Sequence, residues 1–433
     1  MAESMRPSAS VSQPLSRFQG STQMCVHNDI RDRGMSRLLD VDRLLRGCSD
    51  DSFDDGLLIE TELLPVAGPG APVKPAVYEG GRYQHDRRWA SPDDAVPQDV
   101  VVIDNVPSQA NRLEEQLRRE RARCGFPEIV LDLSDLDWMP EHLPRELSSF
   151  QFPHRNADAY LRDALLDGQP FGKSSIGQAI FAATPWTAGA LVSWFPQALL
   201  YGFWQSHLGK KRPQTKHARS WVSEIIGWQP AARETTPTLG LKGDPLNLSI
   251  DESAIFDPDD QAGWSLGEKA EKGQEKKKLS ELGHGQVPFM SDNDAAPAGV
   301  SFRRVTQRAS LSFAQLRRIA VGDGSPEVDD AARALVVAMG LHAHAMAFGR
   351  GFALRSGAEL RPESASVTWL SASGDEKIEF SDAEVTRQLV DAAKDAARDA
   401  SVPLEGWDRE PLRLQPNPSL QRAIANTWPK LDD

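Results

Sequence analysis

Cysteine is scarce, with three residues in a chain of 433. Cys25, Cys48 and Cys124 are odd in number and lack the spacing of a zinc ligand set, which excludes a disulfide framework and fits a reducing, cytoplasmic setting. None is expected to be a nucleophile. Long apolar runs are missing as well. The opening "MAESMRPSASVSQPLSRFQG" has no apolar centre of a signal sequence and reads as a mobile tail. The stretch "AARALVVAMGLHAHAMAFG" (331–349) carries Arg333, His342 and His344, too short and too polar to span a bilayer, so no membrane partner is expected. The sequence holds no phosphate-cradling glycine loop, dinucleotide fingerprint, nucleophile elbow or His-Glu-x-x-His pattern. No cofactor and no metal is therefore expected. His342 and His344, two apart on a helix, point to different faces and read as ordinary helix histidines, and the acidic "FDPDD" reads as a solvated loop.

Acid is absent where it matters most. Net charge is −13, yet the 56 residues from Gly168 to Ser223 contain no Asp or Glu, where the chain average (62 of 433) leads one to expect about eight. That stretch carries Lys173, Lys210, Lys211, Arg212, Lys216 and Arg219. A second acid-free stretch, Ala295 to Gly322, carries Arg303, Arg304, Arg308, Arg317 and Arg318. The two sum to +11 (6 and 5), which leaves −24 for the rest. Local sign, not net charge, sets the potential a ligand meets.

The first stretch interleaves its cations with Phe171, Phe181, Trp186, Trp194, Phe195, Tyr201, Phe203, Trp204 and Trp221. Single-stranded nucleic acid needs both, cations for phosphates and flat faces for bases. Core aromatics beside a basic loop, "GKKRPQTKHAR" (209–219), are the plainer alternative. The five cations of the second stretch are all Arg, whose planar fork suits phosphate. In "VIDNVPSQANRLEEQL" (102–117), Asn105, Ser108, Gln109, Asn111 and Arg112 crowd a helix N-terminus, where free N–H groups favour an anion. Either they complete a phosphate site or they cap the helix and face water.

Strands are expected at 56–66, 99–106, 128–134, 217–228 and 365–373, and helices around 35–47, after Val106, over 156–168, over 326–348 and over 381–401, the last capped by Ser381. Residues 67–98 read as a long loop and 266–286 as a mobile excursion. Strands and helices alternate, but the long irregular connections disfavour a doubly wound sheet, so an antiparallel α+β core with large loop insertions is expected. The chain divides into a tail with a short helix (1–50), a first core part with a basic insertion (51–228), a flexible insertion (229–300) and a second core part with C-terminal helices (301–433).

Five blocks occur in a telling order: "VIDNVPSQANRLEEQL", "ALLYGFWQSHLGKKRPQTKHARSWVSEIIGW" (198–228), "GLKGDPLNLS" (240–249), "RASLSFAQLRRIAV" (308–321) and "GFALRSGAEL" (351–360). Together they resemble the CRISPR-associated Cas-seven-type backbone subunit of type I-U, also called I-G, Cascade complexes. The resemblance covers roughly residues 55–375. It implies an RRM-like (ferredoxin-like) antiparallel core with thumb or finger insertions, copies of which polymerise on CRISPR RNA beside other Cascade subunits and present the guide to target DNA. It also implies RNA contacts from Asn111, Arg112, Lys210, Lys211, Arg212, Lys216, Arg219, Arg317 and Arg318, and more weakly Lys242, with no catalytic residue; Arg308 of the second acid-free stretch joins them as an RNA-binding candidate. The alternative is a metal-dependent endoribonuclease acting on guide-paired RNA, with Asp104 as the suspect carboxylate. No second carboxylate clusters with it in sequence.

Overall fold

"DDGLLIETELLP" buries every second side chain, Leu57, Ile59, Thr61 and Leu63, and turns Glu60 and Glu62 outward, the period of a strand with one face on a core. In a computed structural model, which describes residues 37–79, 82–206, 215–231, 246, 248, 252–257, 260–267, 269–284, 299–322, 324–379 and 382–427, this segment is the middle of a nine-stranded sheet. Its strands are β1 (Asp54–Pro65), β2 (His85–Arg88), β3 (Gln98–Asp104), β4 (Trp221–Pro230), β5 (Phe302–Ser312), β6 (Glu359–Ser371) and β7 (Glu376–Glu379), with Arg37–Leu38 at one edge and Phe352–Ala353 beside β6. The order is β7-β6-β1-β5-β4-β3-β2, and each of these neighbours is antiparallel. Register sets Trp221 against Leu311 across β4 and β5, and Leu57 against Leu311 across β1 and β5.

The helices that build the core and carry the site are α1 (Val41–Cys48), α2 (Val106–Cys124), α3 (Pro326–Phe348) and α4 (Ala383–Asp399). α2 lies in the chain between β1 and β4, and α3 between β5 and β6. The apolar stripe Ala110, Leu113 and Leu117 seats α2 in the core. α3 has the length and apolarity of a membrane span, but it is wrapped by α1, α2, α4 and the short helix Pro196–Tyr201, which is why it is apolar all round. Arg333 is 2% exposed within α3. Its guanidinium donates to the carbonyls of Ile319, Cys48 and Arg317 and pairs with Asp50 and Asp330. A buried cation persists only when its donors are so occupied.

Between α2 and β4 the chain builds a second sheet, ordered 146–148, 129–132, 412–416, 164–166, 169–170, closed by the C-terminal strand Leu412–Pro416. Here the helix expected over 156–168 fails. Only Ala159–Arg162 is α-helical, and Asp167 and Gly168, at φ 49° and 76°, turn a hairpin that pairs Leu166 with Gln169. An Asp-Gly pair is a strong hairpin signal, and it overrides the helical spacing before it. The supposed loop 67–98 contains edge strand β2, and the polar 266–286 segment supplies Glu275–Lys278 to a three-stranded sheet with 253–257 and 260–266. α4 is capped by Asp382, whose carboxylate accepts from the N–H groups of Glu384 and Val385, while Ser381 lies outside the described residues. α1, the expected short helix, packs on the main core through buried Leu44 and Cys48.

Candidate nucleic-acid interface

The polar residues at the start of α2 answer first to the protein itself. Asn105 is the N-cap, its Oδ1 accepting from Ser108 N at 3.1 Å while its Nδ2 donates to the Tyr78 hydroxyl at 2.8 Å. Asp104, the last residue of β3, is 0% exposed, with its carboxylate at the N-terminus of α2. It accepts from Ser108 Oγ at 2.8 Å, Gln109 Nε2 at 2.6 Å, Arg112 Nε and Nη2 at 2.9 and 3.2 Å, and Arg355 Nη2 at 2.8 Å. The anion that this helix terminus attracts is internal. Gln109 is fully buried, and its Oε1 accepts from Ser223 and Gln307, both at 2.8 Å, which ties α2 to β4 and β5. Gln109 therefore faces no RNA. Asp104, with both oxygens saturated by donors, has no lone pair directed at a metal or a substrate, which removes the suspect for endonucleolytic chemistry.

Two arginines on one carboxylate leave a local excess of one positive charge, and Arg112 is about a quarter exposed. It forms one wall of a cleft of about 540 Å³ between α2 and the turn after α3. Asn111, Arg119 and Arg350 share that cleft, all exposed, with Glu115 as its acid. Glu115 is engaged by Arg118 at 2.8 Å and Arg119 at 2.9 Å, and those guanidinium groups hold its carboxyl below the usual range. The cleft is cationic: Asn111 and Arg350 are exposed donors on its lining, while Arg112 and Arg119 lend it charge from their pairs with Asp104 and Glu115. Arg119 and Arg350 were not evident from sequence, since neither lies in an acid-free stretch.

The basic stretches part company in three dimensions. Arg304 and Arg308 lie on the outer face of β5, opposite the face that receives Gln109, and pair with Glu62 at 3.9 Å and Glu60 at 2.9 Å on the adjacent β1. Arg308 is thus engaged by β1 and, among the described residues, does not line the cleft that Arg112 walls. Arg317 is also committed. It donates to the carbonyls of Ser49, Gly47 and Asp54, closing the C-terminus of α1. Arg318 is exposed, and it lies near His217, whose pKa burial lowers, with the Leu199 carbonyl opposing and Arg318 adding to the lowering. His217 belongs to strand 215–217, which pairs with 203–205 so that Lys216 stands opposite Trp204. Trp204 is 59% exposed, an open flat face beside a cation.

Arg219, just beyond, is exposed overall. Partial desolvation of its guanidinium and the nearby Arg155 lower its pKa, Glu114 opposing, without discharging an arginine. Of the other aromatics in the acid-free stretch, Trp186 is exposed, whereas Phe171, Phe195, Phe203, Tyr201 and Trp221 are core. Lys210, Lys211, Arg212 and Lys242 lie outside the described residues. The described candidates thus gather at two places, the α2 cleft and the Trp204–Lys216 pair, with Arg318 near His217 of the same strand.

No curated protein matches the chain. Residues 57–231, which run from β1 through α2 and the Trp204 ladder to the end of β4, match the family model described as CRISPR-associated protein GSU0053 (Cas_GSU0053), and this supports a CRISPR-associated protein with a role in CRISPR defence.

Proposed function

We propose that this chain is a guide-RNA-binding backbone subunit of a type I Cascade complex of the I-U kind, a cytoplasmic binding protein rather than an enzyme. The observation that carries this reading is the coincidence of the CRISPR-associated match with the cationic surfaces: α2, which supplies one wall of the cleft, and the Trp204 ladder both fall within residues 57–231. The fold is consistent. The order β6-β1-β5-β4, with helices crossing between β1 and β4 and between β5 and β6, follows the 4-1-3-2 plan of a ferredoxin-like or RRM-like core, to which β3 and β2 add on one side. Further copies of the chain, other Cascade subunits and target DNA are the partners this reading entails.

A subunit that accepts any spacer should grip phosphates and leave the bases to pair. Affinities for unrelated single-stranded RNAs of equal length should therefore agree within a few-fold, and log affinity should fall linearly with log salt at about −0.7 per phosphate contacted. Fluorescence anisotropy across a salt series checks both. Binding that ignores salt, or that depends strongly on sequence, overturns the reading.

A further inference from the structure

We propose that Glu120, Cys124 and His342 form a site for a divalent cation of the zinc class, which joins α2 to α3 and is separate from RNA binding. Glu120 and Cys124 sit four apart on α2, so their side chains share one helix face, and His342 reaches the same point from α3. Their ligand atoms all lie within 4.8 Å of one another.

The distances have the scale of a coordination shell. Zn–S near 2.3 Å and Zn–N near 2.0–2.1 Å at a tetrahedral angle place sulfur and nitrogen about 3.6 Å apart. Cys124 Sγ and His342 Nε2 are 3.6 Å apart. Glu120 Oε2 is 3.7 Å from the same nitrogen, a few tenths of an ångström beyond the ~3.4 Å edge of an ideal shell.

His342 is oriented from behind, as metal-bound imidazoles are. Its Nδ1 lies 3.1 Å from Thr386 Oγ1 on α4. That hydroxyl has the carbonyls of Asp382 and Ala383 at 3.2 and 3.1 Å as acceptors for its own proton, so it accepts from Nδ1–H. The Nε2 lone pair then points at Cys124 and Glu120. A thiol donating to that lone pair also spans 3.6 Å, and it is the rival to a metal. The rival leaves Glu120 Oε2, buried from water, without a donor at hydrogen-bond distance among the described residues, His342 Nε2 standing at 3.7 Å. Arg123 Nη1, at 3.8 Å, is too far to donate.

Charge also permits a cation. Carboxylate and thiolate offset the two charges of the ion, and the surrounding cations are already paired, Arg123 and Arg387 with Glu384, Arg387 with Asp391, and Lys394 with Asp408. A set of one nitrogen, one sulfur and one oxygen suits Zn²⁺, with Co²⁺ as a visible substitute.

The test uses the full-length chain, purified without chelator from zinc-supplemented medium and analysed by plasma mass spectrometry, then chelated and reloaded with Co²⁺. Expected are about one zinc per chain and a thiolate-to-cobalt charge-transfer band, both lost in Cys124→Ser and His342→Gln and retained in Cys25→Ser. Zinc should also raise the melting temperature of the chelated wild type by several degrees and leave that of His342→Gln unmoved, roughly the effect of a ligand well above its dissociation constant. This readout holds even where Cys124→Ser folds poorly. Wild-type protein with zinc no higher than the buffer blank, or a cobalt band that persists without Cys124, overturns the proposal.

Discussion

Replacing Asp104 by Ala lowers the stability of the folded chain by about 3–5 kcal/mol, seen as a urea midpoint far below that of the wild type. Asp104 is the common acceptor of Ser108, Gln109, Arg112 and Arg355. Its loss strands the Gln109 amide in the core and leaves two guanidinium groups, each about a quarter exposed, without their counter-ion. Removing one partner of a buried ion pair costs more than the pair contributes, because the remaining charge stays where water cannot fully solvate it. Asp104→Asn keeps the shape, loses the charge and turns an acceptor into a donor facing donors, so it should fall between wild type and Ala. Arg355→Gln in the Asn background removes one of the repelling groups and should restore part of the loss, a coupling that a double-mutant cycle reads directly. A change below ~1 kcal/mol for Asp104→Ala contradicts the role given to this carboxylate.

Reversing two charges in the α2 cleft, Arg119→Glu with Arg350→Glu, weakens binding of single-stranded RNA by on the order of 10- to 100-fold and flattens the salt slope by about 1.4, two contacts at about 0.7 each. Both side chains are exposed and neither holds the core, so the variant should fold, and circular dichroism confirms that independently. Arg304 and Arg308, cations on the outer face of β5 and outside the cleft lining, supply the contrast. Reversing them disrupts the bridges to Glu62 and Glu60 but should leave RNA affinity within a few-fold of wild type. Equal losses from both pairs contradict the assignment of the cleft as the phosphate surface.

β1, β3, β4 and α2 were legible, β1 and α2 from their periods and β3 from its β-branched run, whereas β2, β5 and β7 were not expected as strands. What failed at 156–168 was arbitration between two local signals, an apolar helical spacing and an Asp-Gly turn. The candidate site was half legible. The crowd of amides at the start of α2 was visible, but Asp104 read as a suspect catalytic carboxylate and not as the acceptor those amides serve, and Arg355, its second guanidinium, lies 251 positions away in the chain. Amides gathered for an internal carboxylate look, in one dimension, like amides gathered for a phosphate.

Charge segregation misled in a related way. A stretch without acid in sequence is not without acid in space, since antiparallel pairing brings Glu60 and Glu62 of β1 beside Arg308 and Arg304 of β5. The Glu120–Cys124–His342 cluster was invisible for the same reason, His342 being 218 residues from Cys124. The two histidines of α3 do face apart, as their spacing requires. His344, fully buried, has its pKa lowered to about 4 by desolvation and packs on Trp221.

The most direct measurement is the identity of the nucleic acid that the protein carries when it is produced beside a CRISPR array and purified at low salt. Sequencing should recover spacer-containing CRISPR transcripts, enriched over cellular RNA whatever the spacer, and the Arg119→Glu, Arg350→Glu variant should lose most of them. Protein that emerges free of RNA, or with cellular RNA in its bulk proportions, contradicts a guide-binding role.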